Sequence, residues 1–172
     1  MMMRFDENTI IQNFKTFMRE VNQKPTRNDV RDFVEKNFVL AEELEKWQEK
    51  TSPRSPLISK RISQPEYESF VNELMPIWKI LTRRIKREVI HKDNITRFSI
   101  IPVPNGFVIP GGRFREFYYW DSYWIIVGLL NSGMTTTVKG MLENFLWLIE
   151  KFGFIPNGGR IYYLNRSQPP LF

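Results

Sequence analysis

The chain has no cysteine and a single histidine in 172 residues. The first absence removes disulfides, thiolate metal sites and cysteine nucleophiles. The second argues against a histidine-centred triad or a histidine-rich metal site. His91 lies in a charged stretch with Lys86, Arg87, Lys92 and Asp93 and reads as solvated surface. No run of 18 or more apolar residues occurs, so no segment reads as a membrane span. The opening Met1-Met2-Met3-Arg4-Phe5-Asp6 lacks the apolar core of a signal peptide, and the compartment stays undetermined. No glycine loop is followed by the Lys-Ser/Thr pair that cradles phosphates, and no carboxylates stand at metal-ligand spacing.

What is present is apolar and aromatic. Hydrophobic residues make up 42% and aromatics 15%, which is enough for a packed core and argues against disorder. Net charge is +6, a value that can mark a nucleic-acid binder. The cations concentrate at residues 79–87, however, with Leu81 and Ile85 at helical spacing between them. That is read here as the solvated face of an amphipathic helix, and no nucleic acid is expected as a partner.

Along the chain, Ile10, Ile11, Phe14, Phe17, Met18 and Val21 predict a first helix, closed by Pro25. Thr26 and Asp29 predict the start of a second helix, with Val30, Phe33 and Val34 as its apolar face. Residues 41–50 read as weakly helical, and the Pro- and Ser-rich residues 51–62 as a loop. Ser63 is the expected cap of a longer helical region, 63–97, with Pro65 in its first turn and Pro76 inside it. Its stripe would run from Tyr67 through Trp78 and Leu81 to Ile85 and Val89. Residues 98–103 and 107–109 are β-like and flank Pro104-Asn105-Gly106, so a short hairpin is expected. Residues 120–131 then read as a buried helix stopped near Gly133. A second helix, capped by Thr135 or Thr136, carries the stripe Val138, Met141, Leu142, Phe145, Leu148, Ile149 and Phe152 and stops at Gly153.

Two helices joined by so short a connection pack antiparallel. The start of the first and the end of the second then share one end of the pair. Spacing alone therefore predicts that the loop bearing Arg113 meets the loop bearing Asn157, Arg160 and Arg166.

The segment between Pro110 and Tyr123 carries most of the chemistry: a Gly-Gly turn, Arg113, an aromatic run and Trp120-Asp121. Arginine donates through a planar fork and tryptophan offers a flat apolar face, the two features a sugar ring requires. A turn leading into an aromatic-rich core helix is the alternative reading of the same residues. Glu116 and Asp121 are the carboxyls of this segment. Five helical residues would set them about 140° apart, so one helix would not aim both at one bond. A structural role is read for both: Asp121 capping the helix or fixing Arg113, and Glu116 pairing with Arg113 or Arg115. Packing or charge pairing is likewise open for Arg160 and Arg166, and core packing for Tyr162 and Tyr163.

The order Pro-Gly-Gly-Arg-Phe-x-Glu-x-Tyr-x-Trp-Asp-x-Tyr, here Pro110 to Tyr123, resembles the first signature of the trehalase family of glycoside hydrolases. Gly153-Phe154-Ile155-Pro156-Asn157-Gly158-Gly159-Arg160, continuing through Asn165-Arg166-Ser167-Gln168-Pro169-Pro170, is similar to a second family segment in its expected place. The resemblance is strong over residues 98–172 and looser back to about Val30. It implies an all-α fold, the N-terminal part of an (α/α)6 toroid with one short β-hairpin, and residues 1–172 as one partial domain. It implies hydrolysis of α,α-trehalose with inversion to two glucose molecules, with trehalose or glucose as ligand and no metal or cofactor. Its sugar-binding positions fall on Arg113, Trp120, Asp121, Asn157, Arg166, Ser167 and Gln168. The family's aspartate acid and glutamate base have no counterpart up to Phe172, so this chain alone is expected to be inactive. A non-catalytic sugar-binding module is the alternative.

Overall fold

A computed structural model describes residues 1–47, 62–91 and 94–171. The expected loop over 51–62 lies, except for Ile62, outside the described residues, as do Lys92, Asp93 and Phe172. The chain divides into two compact units. One comprises Met1–Glu43 and Lys86–Ile100, the other Leu44–Ile85 and Ile101–Phe172.

In the first unit, helices α1 (Glu7–Glu20) and α2 (Arg27–Asn37) form where the apolar spacing predicts them. Asp6 caps α1 through the Thr9 amide, and Thr26 with Asp29 makes a reciprocal capping box on α2. Phe17 and Phe33 pack across the two helices at 4.8 Å. Strands β1 (Met2–Met3) and β2 (Phe38–Val39) pair antiparallel. Buried Asn37 ties the helices together. Its side chain accepts from Asn13 at 2.7 Å and donates to the Phe33 carbonyl at 2.8 Å.

The second unit departs from several expectations. The 41–50 stretch is not helical where described: Leu44–Lys46 is strand β3. Helix α3 (Pro65–Leu81) is preceded by Gln64 rather than Ser63, and no side chain caps it. It runs through Pro76 but stops at Leu81, so the predicted stripe through Ile85 and Val89 is not one helix. Thr82–Ile85 is strand β4, and Val89 lies on a short helix α4 (Arg87–Ile90) of the first unit. Thr82 explains the stop. Its hydroxyl reaches the Lys79 carbonyl at 3.1 Å and the Trp47 carbonyl, exchanging a helical continuation for a sheet partner. Arg83 folds back to donate to the Ile80 carbonyl at 2.6 Å, closing the helix C-terminus.

Strand β4 lies between β3 and β5 (Phe107–Val108), antiparallel to both, in the register Leu44↔Ile85 and Thr82↔Val108. The cations of the 79–87 stretch therefore lie partly on a strand. Arg84 pairs with Glu45 opposite it at 2.6 Å, as cross-strand opposite charges do. The expected hairpin is also absent, because β5 pairs with β4 and not with 98–103. The Pro104-Asn105-Gly106 bend docks on a helix instead. Buried Asn144 accepts from the Asn105 amide at 2.8 Å and donates to its carbonyl at 3.1 Å. A Cβ on Gly106 would stand 2.6 Å from the Trp47 ring, so only glycine admits that packing.

Helices α5 (Tyr119–Asn131) and α6 (Thr135–Phe152) form the expected pair, linked through Gly133 at φ +71°. Met134, not a threonine side chain, stands at the α6 N-cap, and the helix ends at left-handed Gly153. Leu129, Met141 and Leu148 are fully buried between them, whereas Leu142 and Ile149 of the predicted stripe are exposed. The chain is mostly helical with a few short strands, and no described helix is long and apolar enough to cross a membrane.

Candidate functional site

Gly111 and Gly112 have φ of +102° and +58°, backbone that other residues resist. The turn they make is closed by reciprocal amide-to-carbonyl bonds between Gly111 and Phe114 at 3.0 and 3.2 Å. It projects Arg113 into solvent with its guanidinium 4.9 Å from the centre of the Phe114 ring. The guanidinium makes no hydrogen bond or ion pair among the described residues.

The aromatic run that follows alternates. Phe117 and Tyr119 are buried against Phe107 and Phe145, at 5.3 and 5.8 Å between ring centres. Tyr118 faces the second loop, edge-on to Tyr163. Burial, with the negative charge of Glu116 adding to it, pushes the Tyr118 phenol well above its usual range, so it stays neutral.

The second loop caps α5. The first amides of a helix lack intrahelical partners. Here the Tyr119 amide donates to the Asn157 carbonyl at 3.1 Å, and the Trp120 amide donates to Gln168 Oε1 at 2.8 Å. The Gly159 amide returns to the Phe117 carbonyl at 3.1 Å. The predicted convergence of the two loops is thus a short antiparallel ladder between residues 117–119 and 157–159. The loop is closed on itself by two further bonds. Ser167 Oγ donates to the Ile155 carbonyl at 2.7 Å, and the Asn157 amide donates to the Arg166 carbonyl at 3.0 Å.

The sequence-predicted residues fall into two groups. Ser167 Oγ and the Gln168 side-chain oxygen Oε1 are engaged in holding the loops. The polar ends of Arg113, Asp121, Asn157 and Arg166 remain open. Arg166 stacks 5.2 Å above the Tyr163 ring. Asp121, half-buried in the first turn of α5, makes no hydrogen bond or ion pair among the described residues and so neither caps the helix nor fixes Arg113. Its negative charge suits that helix end. Trp120 is 38% exposed and stands edge-on to Trp124 at 6.0 Å. An exposed indole face amid unspent donors and acceptors can hold a polyhydroxylated ring.

Glu116 corrects another expectation. It pairs neither with Arg113 nor with Arg115 but with Arg160, at 3.0 Å, with side-chain exposures of 17% and 12%. The sequence signal was weak, because two arginines stand nearer in the chain.

The sequence model of the trehalase family matches residues 1–172, the whole chain. The chain belongs to the trehalase family. It is 51% identical over 166 residues to a trehalase of Tenebrio molitor, covering 96% of this chain and 30% of that protein. Against the human trehalase it is 44% identical over 163 residues, covering 94% and 28%. Against that of Dictyostelium discoideum it is 49% identical over 154 residues, covering 88% and 25%. The chain therefore spans under a third of the length of these trehalases and corresponds to an N-terminal portion of the family sequence.

Proposed function

We propose that these residues build one glucose subsite of an enzyme that hydrolyses α,α-trehalose to two glucose molecules with inversion. In this reading residues 1–172 are a partial domain, the leading part of an (α/α)6 toroid. The observation that carries it is the meeting of two loops at one end of the α5–α6 pair, with Arg113, Asp121, Asn157 and Arg166 still open. Arg113 and Arg166 would donate to sugar hydroxyl oxygens. Asp121 would accept from hydroxyls, and Asn157 with the free amide of Gln168 would complete the set. Trp120 would pack on the apolar ring face. Ser167 would act by keeping the loop closed.

The hydrolytic acid and base would come from outside these residues. Glu116 is committed to Arg160, and Asp121 sits in the helix turn that binds sugar. Inversion requires two carboxyls roughly 6.5–9.5 Å apart with a water between. Water attacks one anomeric carbon as the bond to the bridging oxygen breaks. That glucose leaves as β and the other stays α. No metal or organic cofactor enters this scheme, and among the described residues no His/Asp/Glu cluster could hold a metal.

The test is trehalose hydrolysis by the longer protein containing this chain, followed by proton NMR of the first-formed products. Equal α- and β-glucose support the reading. Two α anomers overturn inversion. Sugar binding that requires Arg113 without turnover would favour a binding module.

A further inference from the structure

We propose that Glu116 and Arg160 are a positioning pair that locks the two sugar-facing loops in register, an inference that rests on the function proposed above. Each loop carries half of the open polar groups: Arg113 and Asp121 on one, beside the Trp120 indole, and Asn157 and Arg166 on the other. The backbone ladder joining them is only three residues long on each side, and no strand extends it, since the chain turns into α5 at Tyr119. So short a ladder fixes register weakly. Glu116 immediately precedes its first strand-like segment, and Arg160 immediately follows the second. Their contact at 3.0 Å therefore closes one end of the ladder. Both side chains are more than four-fifths buried. A buried ion pair adds little net stability over apolar packing, but removal of one partner strands the other charge. The pair thus penalises any slip of one loop against the other.

Two glycines make the same demand sterically. A Cβ on Gly159 would lie 2.7 Å from the Phe117 ring and one on Gly158 2.9 Å from the Tyr118 ring, so the loops are in contact on both sides of the ladder. Catalysis that depends on atom placement suffers on the order of 100-fold for a shift of about 1 Å.

The experiment uses the full-length enzyme with Glu116→Gln, Arg160→Gln and the double variant. Each single variant is expected to lower kcat/KM for trehalose about 10- to 100-fold. The double variant, which leaves no stranded charge, should be no worse than the singles. Hydrogen exchange gives a readout independent of turnover. The amides of Tyr119 and Gly159 should exchange at least about tenfold faster in the single variants, with Leu148 in α6 unchanged. Unaltered exchange at the two ladder amides overturns the proposal. So does equal acceleration throughout α6, which would mark a merely structural role. Faster ladder exchange with undiminished kcat/KM overturns the positioning role while leaving the lock. If the wild type cleaves no trehalose, the functional reading fails, and the exchange data still decide whether the pair locks the loops.

Discussion

Arg113 and Ser167 stand in the same site with opposite obligations. The Arg113 guanidinium makes no bond that folding would miss, whereas the Ser167 hydroxyl satisfies the buried Ile155 carbonyl. Arg113→Ala is therefore expected to leave stability within about 0.5 kcal/mol while lowering kcat/KM for trehalose in the longer enzyme roughly 100-fold. Ser167→Ala should cost about 1 kcal/mol in urea denaturation of the same protein. Equal loss of stability in the two would remove the distinction. Asp6 and Asp29 extend the residue-scale argument to pH. Each is held below its ordinary value of 3.8 by hydrogen bonds from a threonine, Thr9 and Thr26 respectively. A depressed folded value means that their contribution is fully present above 3.8 and is lost as the pH falls through the lower folded value. Amide shifts of Thr9 and Asp29 followed by NMR should move in that acid range, with α1 and α2 fraying together. Asp29→Asn should flatten the α2 response alone.

Among the elements, glycine marks two different kinds of constraint. Gly153 ends α6 at φ +82°, and nothing lies within 4 Å of where a Cβ would stand. Gly153→Ala should therefore cost about 1 kcal/mol from backbone conformation alone. Gly159→Ala would push into Phe117 and is expected to cost about 1–3 kcal/mol and to depress activity with it. Thermal unfolding beside a hydrolysis assay separates the two. The elements also show what a sequence can disclose. Helices α1, α2, α5 and α6 follow from local periodicity, and the meeting of the loops follows from the short α5–α6 connection. Strand β4 does not. Lys79 to Arg87 keeps a helical spacing past Leu81, and its pairing partners are Leu44–Lys46 and Phe107–Val108, more than twenty residues away on either side. Nothing local reveals them. The Glu116–Arg160 contact was hidden for the same reason: Arg113 and Arg115 are closer in sequence, but the Gly-Gly turn sends Arg113 outward.

At the scale of the whole chain, much apolar surface faces solvent. Tyr67, Phe70 and Ile80 on α3 are more than half exposed, as are Trp124 on α5 and Leu146 on α6. An open apolar groove of about 500 Å3 runs between α3 and α5, with Trp78 and Trp124 among its walls. Patches of this kind are covered in stable soluble proteins. The 172-residue chain expressed by itself is expected to bind a hydrophobic dye and to self-associate at micromolar concentration. A monodisperse, dye-silent monomer in analytical ultracentrifugation would contradict that expectation. The hairpin of α5 and α6 has a different kind of consequence. Helix α6, at 18 residues, is five longer than α5, at 13, so its end overshoots the start of its neighbour by about 7.5 Å at 1.5 Å per residue. The second loop has to double back over that distance before Asn157 can meet Tyr119. The two helices work as the arms of a caliper whose setting is a residue count. A surface substitution on either arm leaves the gap alone, but one inserted residue turns everything beyond it by about 100° and moves it 1.5 Å. Across descendants of this chain, the lengths of these two helices should thus vary less than the residues that compose them.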